Sequence, residues 1–562
     1  MDRRFAWAIM LIMVIALAPT FLFKRPPARN APAVGAADTV LPADSGATAP
    51  TAQAPAMQAT PPDSNLATGD YQPAEQLVTV SAPLYTWRIS TRGARLVGAE
   101  LNEYRTLAKG DSGNVQLIRP GDGLFGLALV NGRDTIDFRD WTFEPSATAL
   151  TVDGPTPLTL SAQRGGTSVQ LTYTFHPDYQ VEVAGTVTPL APQGASLLVS
   201  LGSGLHNAET DSSLNFRSYA IVTMAGGVDR TDFRAFDPGE TKVLNGPFAW
   251  TAIKSMYFVA SLFAVDSAGQ SPRISGVTAT APVMAGKDPN TVITAAVLPV
   301  PASGTFSWRS YIGPMEYDRL TSLGHEFDDV NPYGWPGFRT MVQFFAVPVR
   351  WLLVQMHEQL NLAYGVVLVL FGILVRVLLW PLNQKAMRAN MKMQEIQPHL
   401  KSAQERYKEQ PALLQQEMFR LYKEHGANPL SGCWPMLLPM PVLFALFFVF
   451  QNAIELRGQS FLWLPDLARA DPLYIIPVVM GLSMFVLSKV GQLGMEPNPQ
   501  MKMMLYVMPV MMTVFFVNLA SGLNLYYAVS NIASIPQQWM LSRERRKKVA
   551  AAIVNVKTRS GK

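Results

Sequence analysis

One stretch restricts this chain more than any other: Leu362–Leu382, LAYGVVLVLFGILVRVLLWPL. It is apolar, long enough to cross a bilayer, and interrupted by a single charge, Arg376. A guanidinium at the centre of a hydrocarbon layer costs roughly 2.5–3.5 kcal/mol on insertion scales. A helix that keeps one turns it toward protein or water. Arg376 stands six residues before Leu382, so at about 1.5 Å per residue it lies roughly 9 Å inside that end. From there the side chain can also stretch to the interface and merely anchor its helix. The stretch alone leaves both readings open, a functional charge or a snorkelling one.

The rest of the chain narrows the choice. Hydrophobic residues make up 48% of the 562, but they cluster at Phe5–Phe23 and again after Leu362. The only cysteine is Cys433, so no intramolecular disulfide can form and any exported part must fold by burial alone. There is no Gly-rich phosphate loop, no metal-spaced His/Cys cluster and no G-x-S-x-G, so the sequence points to no cofactor and no enzymatic centre.

In chain order, Met1-Asp2-Arg3-Arg4 precedes the apolar run Phe5–Phe23. Ala16-Leu17-Ala18 resembles a signal-peptide cleavage site, but Pro19 follows it directly and the apolar run continues. Residues 1–23 are therefore expected to be an uncleaved transmembrane anchor starting in the cytoplasm. Residues 24–75 are rich in Ala, Pro, Thr, Ser and Asp, with Tyr71 their one aromatic, and form a disordered linker by expectation. Over 76–330 the pattern becomes period two: Val169, Leu171, Tyr173 and Phe175 alternate with Ser168, Gln170, Thr172 and Thr174. Turn signals recur at Gly121-Asp122-Gly123, Asn131-Gly132, Pro177-Asp178 and Asp237-Pro238-Gly239. This is the pattern of an all-β sandwich. His176, His206 and His325 are scattered along it, which favours a scaffold or docking surface over a catalytic one.

Residues 331–361 mix Phe344, Phe345, Val349, Trp351, Leu352 and Met356 with Arg339, Gln343, Arg350, His357 and Glu358. They are expected to lie on the outer membrane surface as an amphipathic segment, broken at Pro348. After the span 362–382, residues 383–428 carry Lys385, Arg388, Lys392, Lys401, Arg406, Lys408, Arg420 and Lys423 against five glutamates. Helical periodicity on both sides of Glu409-Gln410-Pro411 predicts a helical hairpin, and its basic excess places it in the cytoplasm. Four further apolar runs fill 429–540: Met436–Ala453, Leu473–Leu487, Met503–Leu519 and Leu523–Met540. The second and third hold 15 and 17 residues, roughly 22–25 Å against a hydrocarbon core of about 30 Å, and would thin the bilayer around them. The tail 541–562 is strongly basic, from Arg543 to Lys562. Six spans with both termini inside satisfy the positive-inside rule. The last two runs carry Asn518, Ser521, Asn524, Tyr526, Tyr527, Ser530 and Asn531, groups that need partners or water at membrane depth. Some are expected to be packing contacts between helices. With Arg376 they suggest a wet pocket.

Asn428-Pro429-Leu430-Ser431-Gly432-Cys433-Trp434-Pro435 leading into Pro439-Met440-Pro441, Ser521–Tyr527 with Ser530-Asn531, and Arg376 followed by Trp380-Pro381-Leu382 carry a resemblance. In these motifs, and in the order anchor, large exported domain, five-helix core, the chain resembles the YidC-type membrane protein insertase family in its Gram-negative branch. The resemblance implies a polytopic α-helical membrane protein of six spans with a five-helix insertase core and a large periplasmic all-β sandwich domain. It implies a hydrophilic, positively charged groove open to cytoplasm and lipid and closed toward the periplasm, with Arg376 inside it and Tyr527 facing substrate. Asn518, Asn524, Tyr526, Ser530 and Asn531 join them as candidate groove residues. The polar groove residue of the family's third span falls on Pro439 here, a departure from the pattern. The periplasmic domain of relatives is a β-supersandwich resembling sugar-processing folds without their activity.

The function expected is insertion and folding of inner-membrane proteins, alone or with the Sec translocon, in the bacterial inner membrane. The implied partners are nascent inner-membrane proteins, the Sec translocon, membrane lipids and the ribosome, the last through the basic tail and hairpin; no small-molecule substrate is expected. The alternative is a channel or solute transporter built on the same polar helices, against which no inverted repeat is visible. A carbohydrate-modifying domain on a membrane anchor is a third reading.

Overall fold

Strict alternation over Thr167–Phe175 and Gln180–Thr188 pairs these strands in antiparallel register, with Val169 opposite Val187, Tyr173 opposite Val183 and Phe175 opposite Val181. Their inward side chains are buried while Ser168, Gln170, Glu182 and Ala184 stay exposed. The computed structural model describes residues 75–132, 134–190, 194–265, 274–283, 290–334, 338–424, 440–493 and 499–560, without side chains at 385–395, 397–398, 401, 499–501, 504 and 548–560. The anchor 1–23, all of the linker except its last residue, the Asn428–Pro435 motif and Pro439 lie outside the described residues.

The two strands sit inside a nine-stranded sheet that also holds Thr305–Pro314, Phe258–Ala264, Trp250–Lys254 and Ala220–Met224. A six-stranded sheet, including Ala195–Ser200 and Ile293–Val300, and a five-stranded sheet around Tyr85–Ser90 and Arg95–Arg105 complete the domain. All three bury their inner faces in one core, in which Trp87, Trp250, Trp308, Tyr85 and Tyr173 are fully enclosed. The buried phenols of Tyr85 and Tyr173 donate to the carbonyls of His176 at 2.8 Å and Ala94 at 2.7 Å, so burial leaves neither hydroxyl orphaned.

Beyond the sandwich the chain is helical: α1 (Arg339–Leu360), α2 (Tyr364–Glu395), α3 (Gln397–Arg406), α4 (Pro411–Glu424), α5 (Met440–Asn452), α6 (Ile475–Gly491), α7 (Pro499–Phe516) and α8 (Ser521–Ser560). Contrary to expectation, Pro348 does not break α1; the helix runs through it. Pro348 lies on the exposed face, where the carbonyl it leaves without an amide partner can be satisfied from outside the protein. The break comes at Asn361, whose left-handed backbone, φ 49°, ends α1 before α2 begins. One face of α1 (Val342, Ala346, Arg350, Leu353) is buried, and the helix packs against α5. The opposite face exposes Met341, Phe344 and Trp351.

Among the described residues one segment, Tyr364–Gln384, is long and apolar enough to cross a membrane by itself; α5, α6 and the apolar part of α7 are shorter. α2 does not stop at Leu382 but continues to Glu395, and α8 joins the last apolar run and the basic tail in one helix with Pro536 inside it. The chain turns between α3 and α4 at Tyr407–Gln410, and Pro411 takes the first helical position, where its missing N–H costs nothing. Ile396, Leu400, Ala403 and Leu421 form the small core of this pair.

A buried polar seam ties the sandwich to the loop between α5 and α6. Arg457 donates from Nε to Glu209 Oε1 at 2.7 Å, and from Nη1 and Nη2 to the carbonyls of Arg105 and Ala208, both at 2.9 Å. Arg350 of α1 is paired with Glu455 of the loop and with Asp318, 3.1 Å away. Lys254 donates to Asn331 Oδ1 at 2.7 Å, and Asn452 at the end of α5 donates to the Pro332 carbonyl at 2.9 Å.

Candidate functional site

Arg376 projects from α2 toward α8, and its Nε donates to Ser530 Oγ at 2.7 Å. Ser530 is buried while Arg376 is half-buried, and among the described residues no carboxylate pairs with the guanidinium. Close approach of the helices depends on Gly372, where an added Cβ would lie 3.2 Å from Val529 Cγ1 and 3.6 Å from Tyr526 Cδ2. One turn further on, Gln537 of α8 donates to the Trp380 carbonyl at 3.0 Å. As 376 pairs with 530 and 380 with 537, α2 and α8 run parallel.

α8 presents a second polar stripe to α6. Asn531 donates to Ser483 Oγ at 3.2 Å, and Ser542 Oγ and Arg545 Nη1 donate to the carbonyls of Val490 and Gly491 at 2.7 and 2.9 Å. The last two contacts satisfy carbonyls that the C-terminus of α6 leaves open. They also commit Arg545, one of the expected tail cations, to a structural role.

The candidate residues therefore divide. Arg376, Ser530, Tyr526 and Tyr527 come together: the Tyr526 ring lies 5.8 Å from Phe371 of α2 and 5.5 Å from Tyr527, which packs 5.4 Å from Phe516 of α7. Asn531 faces α6 instead. Asn524 is fully buried, and its Nδ2 donates to the carbonyl of Phe516 at 3.0 Å, with those of Leu519 and Ala520 at 3.4 Å. It reaches back to the end of α7 rather than lining a groove, adding a side-chain donor where the helix leaves its last carbonyls open. Asn518 sits exposed in the turn between α7 and α8, which about 1.5 Å per residue places roughly 14 Å or more along α8 from Ser530. Neither asparagine meets Arg376. Gln537, Ser483 and Ser534 were not among the sequence candidates. A polar residue every third or fourth position along α8 was the signal available for Ser534 and Gln537.

A long apolar helix holding a half-buried arginine against a polar helix, beside a β-sandwich tied on by a charged seam, is the arrangement of an integral membrane protein with a large domain outside the bilayer, and the family comparisons assign the chain to that class. Residues 355–548 match the family described as "60Kd inner membrane protein", and residues 77–352 match "YidC periplasmic domain". The chain is 30% identical over 533 residues to a membrane protein insertase YidC of Prosthecochloris aestuarii, covering 88% of this chain and 87% of that one. It is 31% identical over 497 residues to the corresponding protein of Chlorobaculum parvum, covering 83% and 82%. A solved structure described as an active YidC insertase with its first transmembrane domain resolved aligns over 83% of this chain and 93% of that one, at 16% identity and TM-score 0.34. The chain belongs to the YidC membrane protein insertase family. It is a membrane protein insertase with a periplasmic β-sandwich domain and a helical C-terminal region.

Proposed function

We propose that insertion proceeds through a polar groove centred on Arg376 between α2 and α8, open to cytoplasm and lipid, in a six-span protein with both termini cytoplasmic. The observation that carries this reading is the Arg376–Ser530 contact, which uses one of five guanidinium N–H donors and brings no carboxylate. The charge thus stays available to the polar flank of a nascent inner-membrane protein entering from the cytoplasm. The apolar segment of that substrate then moves sideways into lipid, downhill by burial. Tyr527, half-buried about one turn away on α8, would meet it there, with Tyr526 packed behind it against Phe371.

Several features support the surrounding scheme. α6 has 17 residues, about 26 Å, so it is shorter than a hydrocarbon core of about 30 Å and favours local thinning. The exposed apolar face of α1 suits the outer interface. Arg543, Arg546 and Lys547 of the tail leave a basic surface for ribosomal RNA, and in this scheme the chain works alone or with the Sec translocon.

Substitution at Arg376 tests the reading. With a substrate whose translocated flank is acidic, Arg376→Lys should keep most activity, and Arg376→Ala should lose at least about tenfold, ~1.4 kcal/mol, with normal membrane accumulation. Equal activity of Ala and wild type on that substrate would leave Arg376 a snorkelling anchor. Uptake of a small solute into proteoliposomes would instead favour the transporter reading.

A further inference from the structure

The loop between α5 and α6 contains a turn whose chemistry is reversed from that of a turn in water. Phe461 and Leu464 form an isolated antiparallel bridge, each N–H donating to the other's carbonyl at 2.9 Å. The two residues at the tip are Leu462 and Trp463. Leu462 holds a left-handed backbone, φ 55°, and its side chain is 74% exposed. Tight hairpin turns that need positive φ favour Asn, Asp or Gly, because a bulky side chain there is strained and, in water, gains nothing. A second bulky residue repeats the pattern: Tyr474, just before α6, has φ 58° and is exposed, flanked by exposed Leu473 and Ile475.

The feet of this loop are fixed. Phe461 packs so closely on the first turn of α2 that a Cβ on Gly365 would meet its ring, and Leu464 is buried in the helical core. Buried Asp471 accepts from Trp463 Nε1 at 3.2 Å, from the Leu473 amide at 2.9 Å and from the Ile476 amide at 2.7 Å, tying the turn to the start of α6. The loop is therefore built to hold Leu462, Trp463, Leu473 and Tyr474 outward. Because Arg457 of the same loop is bound to Glu209 of the periplasmic sandwich, it lies at the periplasmic end of the bundle.

We propose that this loop is a lipid-binding wedge whose Leu462–Trp463 tip and Leu473–Tyr474 shoulder insert into the acyl–headgroup boundary of the outer leaflet. Two observations select lipid as the occupant. The apolar surface continues into the exposed Val478, Val479, Leu482 and Val486 of α6, the face such a helix turns to the bilayer. α6, with 17 residues, falls about 4 Å short of a hydrocarbon core of about 30 Å, so thinning draws the outer interface toward its start, the level at which the loop holds its exposed side chains. The inference is independent of the groove around Arg376.

The test uses the full-length chain with its single cysteine replaced, Cys433→Ser, and a new one at the tip, Leu462→Cys, carrying an environment-sensitive fluorophore. Leu473→Cys provides a second site, and Asp134→Cys, exposed on the sandwich, is the aqueous reference. In phosphatidylethanolamine–phosphatidylglycerol vesicles with shallow doxyl-lipid quencher, labels at 462 and 473 should be quenched several-fold more than the label at 134. Iodide should show the reverse order. Iodide quenching at 462 and 473 equal to that at 134 would place the tip in water and overturn the proposal. Protection of both sites from lipid and aqueous quenchers alike would also overturn it, in favour of a protein partner or a second copy.

Discussion

Arg376 and Asn524 are both polar groups on the helices of the C-terminal region, yet their surroundings give them different work. Among the described residues Arg376 has one protein acceptor, Ser530, and donors to spare. Asn524 spends its amide on the buried C-terminal turn of α7. Asn524→Ala should thus lower stability by about 1 kcal/mol, since it removes a buried side-chain hydrogen bond to the Phe516 carbonyl while the backbone donors to that turn remain. Insertion per folded molecule should be unchanged, as thermal unfolding in nanodiscs beside a normalised insertion assay would show. Lys254 is a third case. Burial, reinforced by Arg230, holds its ammonium pKa well below the ordinary lysine range. The folded chain then binds that proton less readily than the unfolded one, whose lysine titrates near about 10.4. The penalty is absent above that value, grows as pH falls toward the folded pKa, and is constant below it. Protection of Trp250–Lys254 in hydrogen exchange, corrected for intrinsic rates, should rise with pH from neutral toward the ordinary lysine range and level off there. Lys254→Met should flatten the rise; a slope that survives the substitution would mean another group supplies it.

At the scale of elements, spacing between helices decides what side chains can do. Gly372 lets α2 approach α8 closely enough for Arg376 to reach Ser530. Gly372→Leu should push them apart, costing about 1–3 kcal/mol of stability through overpacking. It should also reduce insertion of the acidic-flank substrate toward the level of Arg376→Ala, although no polar group has been removed. Wild-type insertion by the Leu variant would mean that the groove does not need this spacing. Sequence periodicity was a good guide to the alternating strands, to a pair of helices joined near Glu409-Gln410-Pro411, where Pro411 proves to open α4 rather than to lie in the turn, and to the arginine within α2. It misplaced the end of α1, because Pro348 happens to face outward and its lost hydrogen bond falls where it costs least. It also could not separate Asn531, turned to α6, from Ser530, turned to α2: adjacent residues on a helix differ by about 100° in facing, and only neighbouring helices say which direction matters.

Across the whole molecule, the seam between sandwich and helices encloses one ion pair almost completely. Arg457 and Glu209 have side chains only 5% and 3% exposed, so removing one partner strands a buried charge. Glu209→Ala should cost about 3–5 kcal/mol and loosen the contact of the α5–α6 loop with the sandwich; the double variant with Arg457→Ala should recover part of that loss. Proteolysis of the loop in the single and double variants measures both effects, and strictly additive losses would argue against a coupled pair. Topology has a direct test at this scale. Protease added to spheroplasts should cut within 24–361 and spare the hairpin 383–428 and the tail. Cleavage of the hairpin from outside would refute the orientation.

The sequence alone determined the division into an alternating β domain and an apolar helical region, because burial of one strand face or one membrane-length helix writes a period that needs no partner to be read. It also singled out Arg376, since a charge is conspicuous wherever hydrocarbon surrounds it. The tertiary structure alone decided which polar groups meet. Ser530 receives Arg376, Asn524 reaches back to α7, Asn531 faces Ser483, and Glu209 holds Arg457 from 248 residues away. Such pairings depend on the rotation and spacing of packed helices and on chain reversals at Asn361 and in the 453–474 loop. A hydrogen bond is satisfied by whatever lies within about 3 Å in space, and distance along the chain carries almost none of that information.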